Sequence, residues 1–291
     1  MIVSERRAEV RELLDAHRAA GRSIGVVGTS GGTHAGHLSL AHTARRECDI
    51  VAVFWNGSLN AGFAGGIVQH YVRDLDRDAK LFEEADVDLL YVSKQDDLYR
   101  RPPVSRVEMK EMAVHLNGMP EGEHMTIVVT MVLTLLNIAG PCTMVFGEKD
   151  WPQLVMFQRM AEDLLLPSRI LASPTVREAD GLAVSSRNTR LSPAEREAAP
   201  ELYRALAEAA EAIQHGERDA RTVTEAIRER LRRVSVPNYV TAVEADTLRP
   251  LDTLSGQVRL LASATFGDTP LVDNLGVTVS EADGGRRKEQ R

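Results

Sequence analysis

The chain has 291 residues with 35 Lys and Arg against 42 Asp and Glu, a formal charge of −7. At roughly 150 residues per domain this length predicts two domains or one large α/β domain. The acidic balance argues against a nucleic-acid binder held by bulk charge. With 43% hydrophobic and 26% charged residues, wholesale disorder is excluded.

The longest apolar stretch, Ile127 to Ala139, is interrupted by Thr130, Thr134 and Asn137. It is shorter than the roughly 20 apolar residues a membrane span needs. The charged, amphipathic N-terminus lacks the apolar stretch of a signal peptide. Cys48 and Cys142 are too few for a disulfide framework or a structural zinc site. The expected location is the reducing cytoplasm, with no nucleic acid or membrane as partner.

The spacing of Val10, Leu13 and Leu14 predicts a helix over Glu5 to Ala20. A short apolar strand, Ser23 to Val27, then runs into Gly28, Gly31 and Gly32. Ala35 to Arg46 reads as a helix and Asp49 to Trp55 as a second strand, so the opening is a βαβ unit with a parallel sheet. Asp74 to Ala85 is helical, Asp88 to Val92 a strand, and Thr126 to Ile138 an apolar helix. A strand over Cys142 to Phe146, a helix over Trp151 to Leu164 and a strand over Arg169 to Ser173 continue the alternation. The expected fold is α/β, a doubly wound Rossmann-like sheet whose ligands sit beyond the carboxyl ends of its strands.

From about residue 176 the pattern changes. Ser192-Pro193-Ala194-Glu195 is a capping box opening one long helix to about Gln214. Gly216 breaks it, and a helix over Thr222 to Val234 precedes three strand-like runs: Tyr239–Glu244, Val258–Ala264 and Val272–Val279. These predict a smaller α+β domain over 176–291, ending in a frayed tail, after a Rossmann-like domain over 1–175.

Three stretches carry chemistry. His34 and His37 open a helix after the glycine-rich loop and share one face, where helix N-termini attract anions. A loop with two surface histidines is an equally good reading of so short a pattern. Phe146 to Gln153 follows a strand, so Lys149 can reach phosphates and a carboxylate can hold ribose hydroxyls. Pro174 to Asn188 brings Ser185, Ser186 and Arg187 together as an oxyanion or phosphate cradle. Singly, each of the last two reads more readily as a polar loop.

Together, FGEKDWPQL, PTVREADGLAVSSRN and LSPAER resemble the pantothenate synthetase (pantoate–β-alanine ligase) family, within the nucleotidylyltransferase superfamily marked by His-x-Gly-His. The resemblance runs from about Arg22 to Val279. It implies a two-step reaction with ATP and Mg2+: a small carboxylic acid becomes an acyl adenylate, and a small amine then displaces AMP to form an amide. It implies phosphate contacts from His34, His37, Lys149, Ser185, Ser186 and Arg187. It implies ribose contacts from Gly147 and Asp150, an adenine contact from the backbone of Val176, and a homodimer. No residue set for a resident metal is expected.

The chain departs from the family around the acid. The loop reading Pro-Thr-Met-Gly-Ala-Leu-His in the family is here Gly28 to His34, with Ser30 in place of methionine. The family's Phe-Val-Asn-Pro-x-Gln-Phe is here Phe54, Trp55, Asn56, Gly57, Ser58, Leu59 and Asn60. Of the two glutamines that hold the acid in the family, only Gln153 remains. A buried hydroxyl without its partner costs about 1–3 kcal/mol, or roughly 10- to 100-fold in binding. The expectation is therefore a ligase for an acid other than pantoate, small and more polar, in a specialised pathway. Its pocket would be drawn from Ser30, Trp55, Asn56, Leu59, Asn60 and Gln153. The alternative is a genuine pantothenate synthetase with a repacked pocket. An enzyme that stops at the adenylate and a non-catalytic paralogue are lesser readings. A dinucleotide dehydrogenase is disfavoured, since Gly-x-Gly-x-x-Gly does not follow the first strand.

Overall fold

The computed structural model describes residues 1–57, 74–99, 103–115 and 120–279; side chains of 113–115 and 120–124 are not described. Two compact units emerge, Met1–Arg190 and Leu191–Arg291. Within the first unit the segment after residue 175 folds back on itself. Val184 N–H donates to the Val176 carbonyl at 2.9 Å, and Arg177 bridges to Ala183.

The first unit is a parallel six-stranded sheet in the order β1-β4-β3-β2-β5-β6. Its strands are β1 (Ile2–Ser4), β2 (Ile24–Thr29), β3 (Ile50–Trp55), β4 (Leu89–Val92), β5 (Thr143–Gly147) and β6 (Arg169–Ser173). Every residue of β3 and β4 is buried, as befits strands covered on both faces. The helices are α1 (Arg7–Ala19), α2 (Ala35–Glu47), α3 (Leu75–Glu84), α4 (Gln95–Leu98), α5 (Lys110–His115), α6 (Pro120–Ala139) and α7 (Trp151–Asp163). From β2 the chain winds outward through β3 and β4, then crosses back to β5 and β6. The reversal leaves a crevice beyond the carboxyl ends of β2 and β5, where such sheets hold ligands.

Two arginines of α1 fix the end of α6. Arg11 Nε donates to the Ile138 carbonyl at 2.9 Å, and Arg18 Nη1 to the Ala139 carbonyl at 2.8 Å. Carbonyls left open at a helix C-terminus attract such cations.

The second unit packs α9 (Glu201–Gln214) and α10 (Ala220–Leu231) on an antiparallel sheet of β7 (Val236–Glu244), β8 (Gly256–Phe266) and β9 (Thr269–Val279). The single long helix expected after Ser192 is two helices: α8 (Pro193–Ala198) precedes α9. The cause is Pro200, which has no N–H for a helical bond and stands as the N-cap of α9. The capping box at Ser192 forms as expected, with Ser192 and Glu195 exchanging both bonds. Strand β1 and the short helices α4 and α5 had no clear sequence signal. The expected tail lies outside the described residues.

Candidate active site

The crevice holds a cavity of about 270 Å³. That is near the lower end of small-molecule sites. All its lining residues belong to the first unit.

One side is built by the loop from β2 into α2. His34 is the N-cap of α2, and its Nδ1 accepts the Gly36 N–H at 3.1 Å. That bond leaves the proton of a neutral ring on Nε2. The motif's glycine follows from the same packing: a Cβ on Gly36 would sit 2.9 Å from His34 Cε1. His37, one turn on, stacks on His34 with centroids 4.0 Å apart and planes at 22°. Burial, then His34 and Lys149, push His37 down to about 3. Burial, then Lys149, also lowers His34. The rings thus offer N–H donors at neutral pH, and the cationic charge falls to Lys149 and Arg187. His37 Nδ1 is buried and has no hydrogen-bond partner among the described residues.

Further polar lining comes from β5 and the loop beyond β6. Gly147 ends β5, a 3-10 turn carries Lys149 and Asp150, and all three line the cavity. The folded-back segment brings Val176 alongside Val184 to Arg187. Ser185 Oγ accepts the Arg187 N–H at 3.2 Å, and Asn188 Nδ2 donates to the Ala183 carbonyl at 3.1 Å. The three motifs, far apart in sequence, therefore meet in one cavity.

The rest of the lining is largely apolar: Val128, Met131, Val132 and Leu135 of α6 with Leu154 and Phe157 of α7, and Gln153 is the polar side chain that α7 adds. The α6 residues were not foreseen as site residues. Their one sequence signal was a helix apolar on all sides, which marks burial but not the face that meets a cavity.

The residues expected to shape an acid pocket separate. Ser30 and Asn56 line the cavity. Asn56 is committed to structure, its Oδ1 accepting Ser93 Oγ–H at 2.6 Å and its Nδ2 donating to the Phe54 carbonyl at 3.3 Å. Trp55 is not a cavity residue: it is 4% exposed in the core, with Nε1–H donated to Asp78 Oδ2 at 3.0 Å. A strand residue next to one facing the crevice turns to the other face of the sheet. Leu59 and Asn60 lie outside the described residues.

The doubly wound sheet thus carries helix-terminal histidines, a lysine and an arginine around its switch-point crevice. The chain belongs to the pantoate–β-alanine ligase family: the family model "Pantoate-beta-alanine ligase" matches residues 2–276. Its relatives include "Pantothenate synthetase 1" of Frankia alni, 63% identical over 97% of this chain and all of that protein. The crystal structure of pantothenate synthetase from Thermus thermophilus superposes with a TM-score of 0.86 at 35% identity, over 96% of this chain and all of that one. The pantoate-β-alanine ligase of Francisella tularensis, complexed with β-γ ATP and β-alanine, gives 0.73 at 26% identity, over 94% and 97%.

Proposed function

We propose that the chain joins pantoate to β-alanine at the expense of ATP, releasing AMP and pyrophosphate. The observation that carries this reading is the mixed lining of one cavity: His34, His37, Lys149 and Arg187 share it with Gln153 and the apolar Val128, Met131, Val132 and Leu135 of α6. Pantoate pairs a carboxylate and hydroxyls with a carbon bearing two methyl groups, and the α6 wall suits those methyls. A more polar acid would leave groups without partners there, at about 1–3 kcal/mol each. The expectation of a different acid in a specialised pathway is therefore set aside, and the comparisons contain nothing that supports it.

In this reading the acid's carboxylate attacks the α-phosphorus of ATP and pyrophosphate leaves. The amine then attacks the acyl carbonyl of the adenylate and AMP leaves. The Nε2–H of His34, the ring of His37, the Ser185 and Ser186 hydroxyls, Lys149 and Arg187 stabilise charge on the phosphate oxygens. Gly147 and Asp150 take the ribose and the Val176 backbone takes the adenine. Gln153 holds the acid, with Ser30 beside it. The donor set fits a polyphosphate: N–H donors at a helix N-terminus, with two cations and no carboxylate but Asp150 among the lining residues. Mg2+ would neutralise the triphosphate. Among the described residues no group of three His, Cys, Asp or Glu side chains is placed to hold a metal. Among those residues too, no helix is long and apolar enough to cross a membrane. A homodimer and a cytoplasmic location complete the proposal, and the buried free thiols Cys48 and Cys142 suit a reducing compartment.

The test is AMP release and product mass with Mg-ATP, pantoate and β-alanine, run beside a panel of small hydroxy and amino acids. Pantothenate as the fastest product is expected. Turnover confined to another acid would overturn the choice of substrate. Pyrophosphate without amide would indicate an adenylate-forming enzyme, and no AMP from any pair a non-catalytic one.

A further inference from the structure

Asp78 of α3 is wholly buried, at 0% exposure, and does not line the cavity. Its Oδ1 accepts the backbone N–H of Thr33, the residue just before His34, at 2.9 Å. Its Oδ2 accepts the Trp55 indole N–H at 3.0 Å. Arg77 stands 3.5 Å from Oδ1 with about half of its side chain in solvent. Burying a carboxylate without donors is costly, so these bonds are demanding in both directions.

The indole does a second thing. A Cβ on Gly31 would lie 3.4 Å from Trp55 Cζ2 and Nε1, and one on Gly57 would overlap Cη2. The ring thus forms the floor under Gly31 and occupies the space that any side chain at Gly57 would need. Gly31 and Gly32 have φ of +96° and +65°, a backbone that turns easily and is held by little of its own. The loop's other anchors are the Gly31 N–H on Thr29 Oγ1 at 3.1 Å and the Asn56 N–H on the Thr29 carbonyl at 2.7 Å. Both lie at its β2 end. At Thr33, just before His34, the anchor is Asp78.

We infer that Trp55 and Asp78 are positioning residues that clamp the glycine loop from below and so fix His34 at the head of α2. The inference rests on reading the His34 side of the cavity as the phosphate end. Trp55 stands where the family pattern has valine and Gly57 where it has proline. The two departures thereby become one feature, a tryptophan and the glycine that admits it.

The test is a cycle of Trp55→Phe, Asp78→Asn and the double variant. Phenylalanine keeps a ring under Gly31 and removes the N–H. Asparagine, whichever way its amide turns, sets one donor against an N–H. Asp78→Asn is expected to lower kcat for AMP formation on the order of 10- to 100-fold, as for a misplaced group, with KM for β-alanine unchanged. Trp55→Phe is expected to lower it less, and in the Asp78→Asn background to restore part of the loss. Losses that multiply in the double variant, or melting temperatures that fall with kcat intact, would overturn the clamp. Histidine ring resonances of the ligand-free variants give a readout that does not need activity. His34 is expected to shift and the exposed His215 to stay. A still His34 signal contradicts the clamp, whereas a wild-type enzyme that forms no AMP while His34 shifts contradicts only the phosphate reading.

Discussion

The two ends of the cavity are built by different means. The polar lining, which the proposal gives to the phosphates, is made of strand ends, a helix cap and short loops, so each part is a contiguous motif: His34 to His37, Gly147 to Asp150, Ser185 to Arg187. The apolar lining, which the proposal gives to the acid, comes from α6 and α7 side chains spaced at helical intervals, such as Val128, Met131 and Leu154, with Gln153 on α7. Backbone geometry constrains the first end tightly, because donors must point at one oxyanion. The second is held by packing, which tolerates exchange of apolar groups of similar volume.

If that contrast is right, the largest losses come from the phosphate end. Lys149→Ala is expected to lower kcat for AMP formation by on the order of 10²–10³, with KM for pantoate little changed. Initial rates at varied pantoate check this, and a rise in pantoate KM alone would place Lys149 on the acid instead. Next comes Gln153→Ala, expected to raise KM for pantoate by roughly 10- to 100-fold while KM for ATP stays within about twofold. Should both KM values rise together, the cavity would not have two separable ends.

A smaller effect sharpens the contrast at the α6 wall. Met131→Gln is expected to narrow the preference for pantoate over its analogue lacking the two methyl groups. One methylene in an apolar pocket is worth about 1–3 kcal/mol. Competition between the two acids for limiting enzyme reads it directly.

A last effect, absent at neutral pH, is on stability in acid. The ring of His37 is held at about 3 in the folded chain, against 6.5 when free. Between those values the unfolded chain binds the extra proton, so stability is full above about pH 6.5 and is lost as pH falls toward 3. Denaturation midpoints across that window are expected to fall more gently in His37→Gln than in the parent. An identical slope would mean that the ring is not buried neutral.

The same contrast explains what could be read from the chain. Strands of β-branched and apolar runs, such as Ile50 to Trp55, announce a buried parallel sheet, and the glycine-rich loop before His34 announces the switch-point crevice. Elements set by a single residue were harder. The break at Pro200 sits inside an otherwise continuous Ala/Glu-rich pattern, and β1 is a three-residue edge strand whose pairing with β4 is wholly non-local. Trp55 shows a deeper limit. Its place in the motif put it next to cavity residues, but strand alternation turns it into the core, where Asp78 meets its indole N–H. No pattern local to either residue encodes that bond.

The most direct measurement of the account is the fate of the acid's oxygen. Pantoate carrying ¹⁸O in its carboxylate is turned over with Mg-ATP and β-alanine, and the AMP is weighed. Attack of the carboxylate on the α-phosphorus, followed by amine attack at the carbonyl, leaves one ¹⁸O in each AMP. AMP with no label, or label retained entirely in the amide product, would contradict an adenylate formed in this cavity.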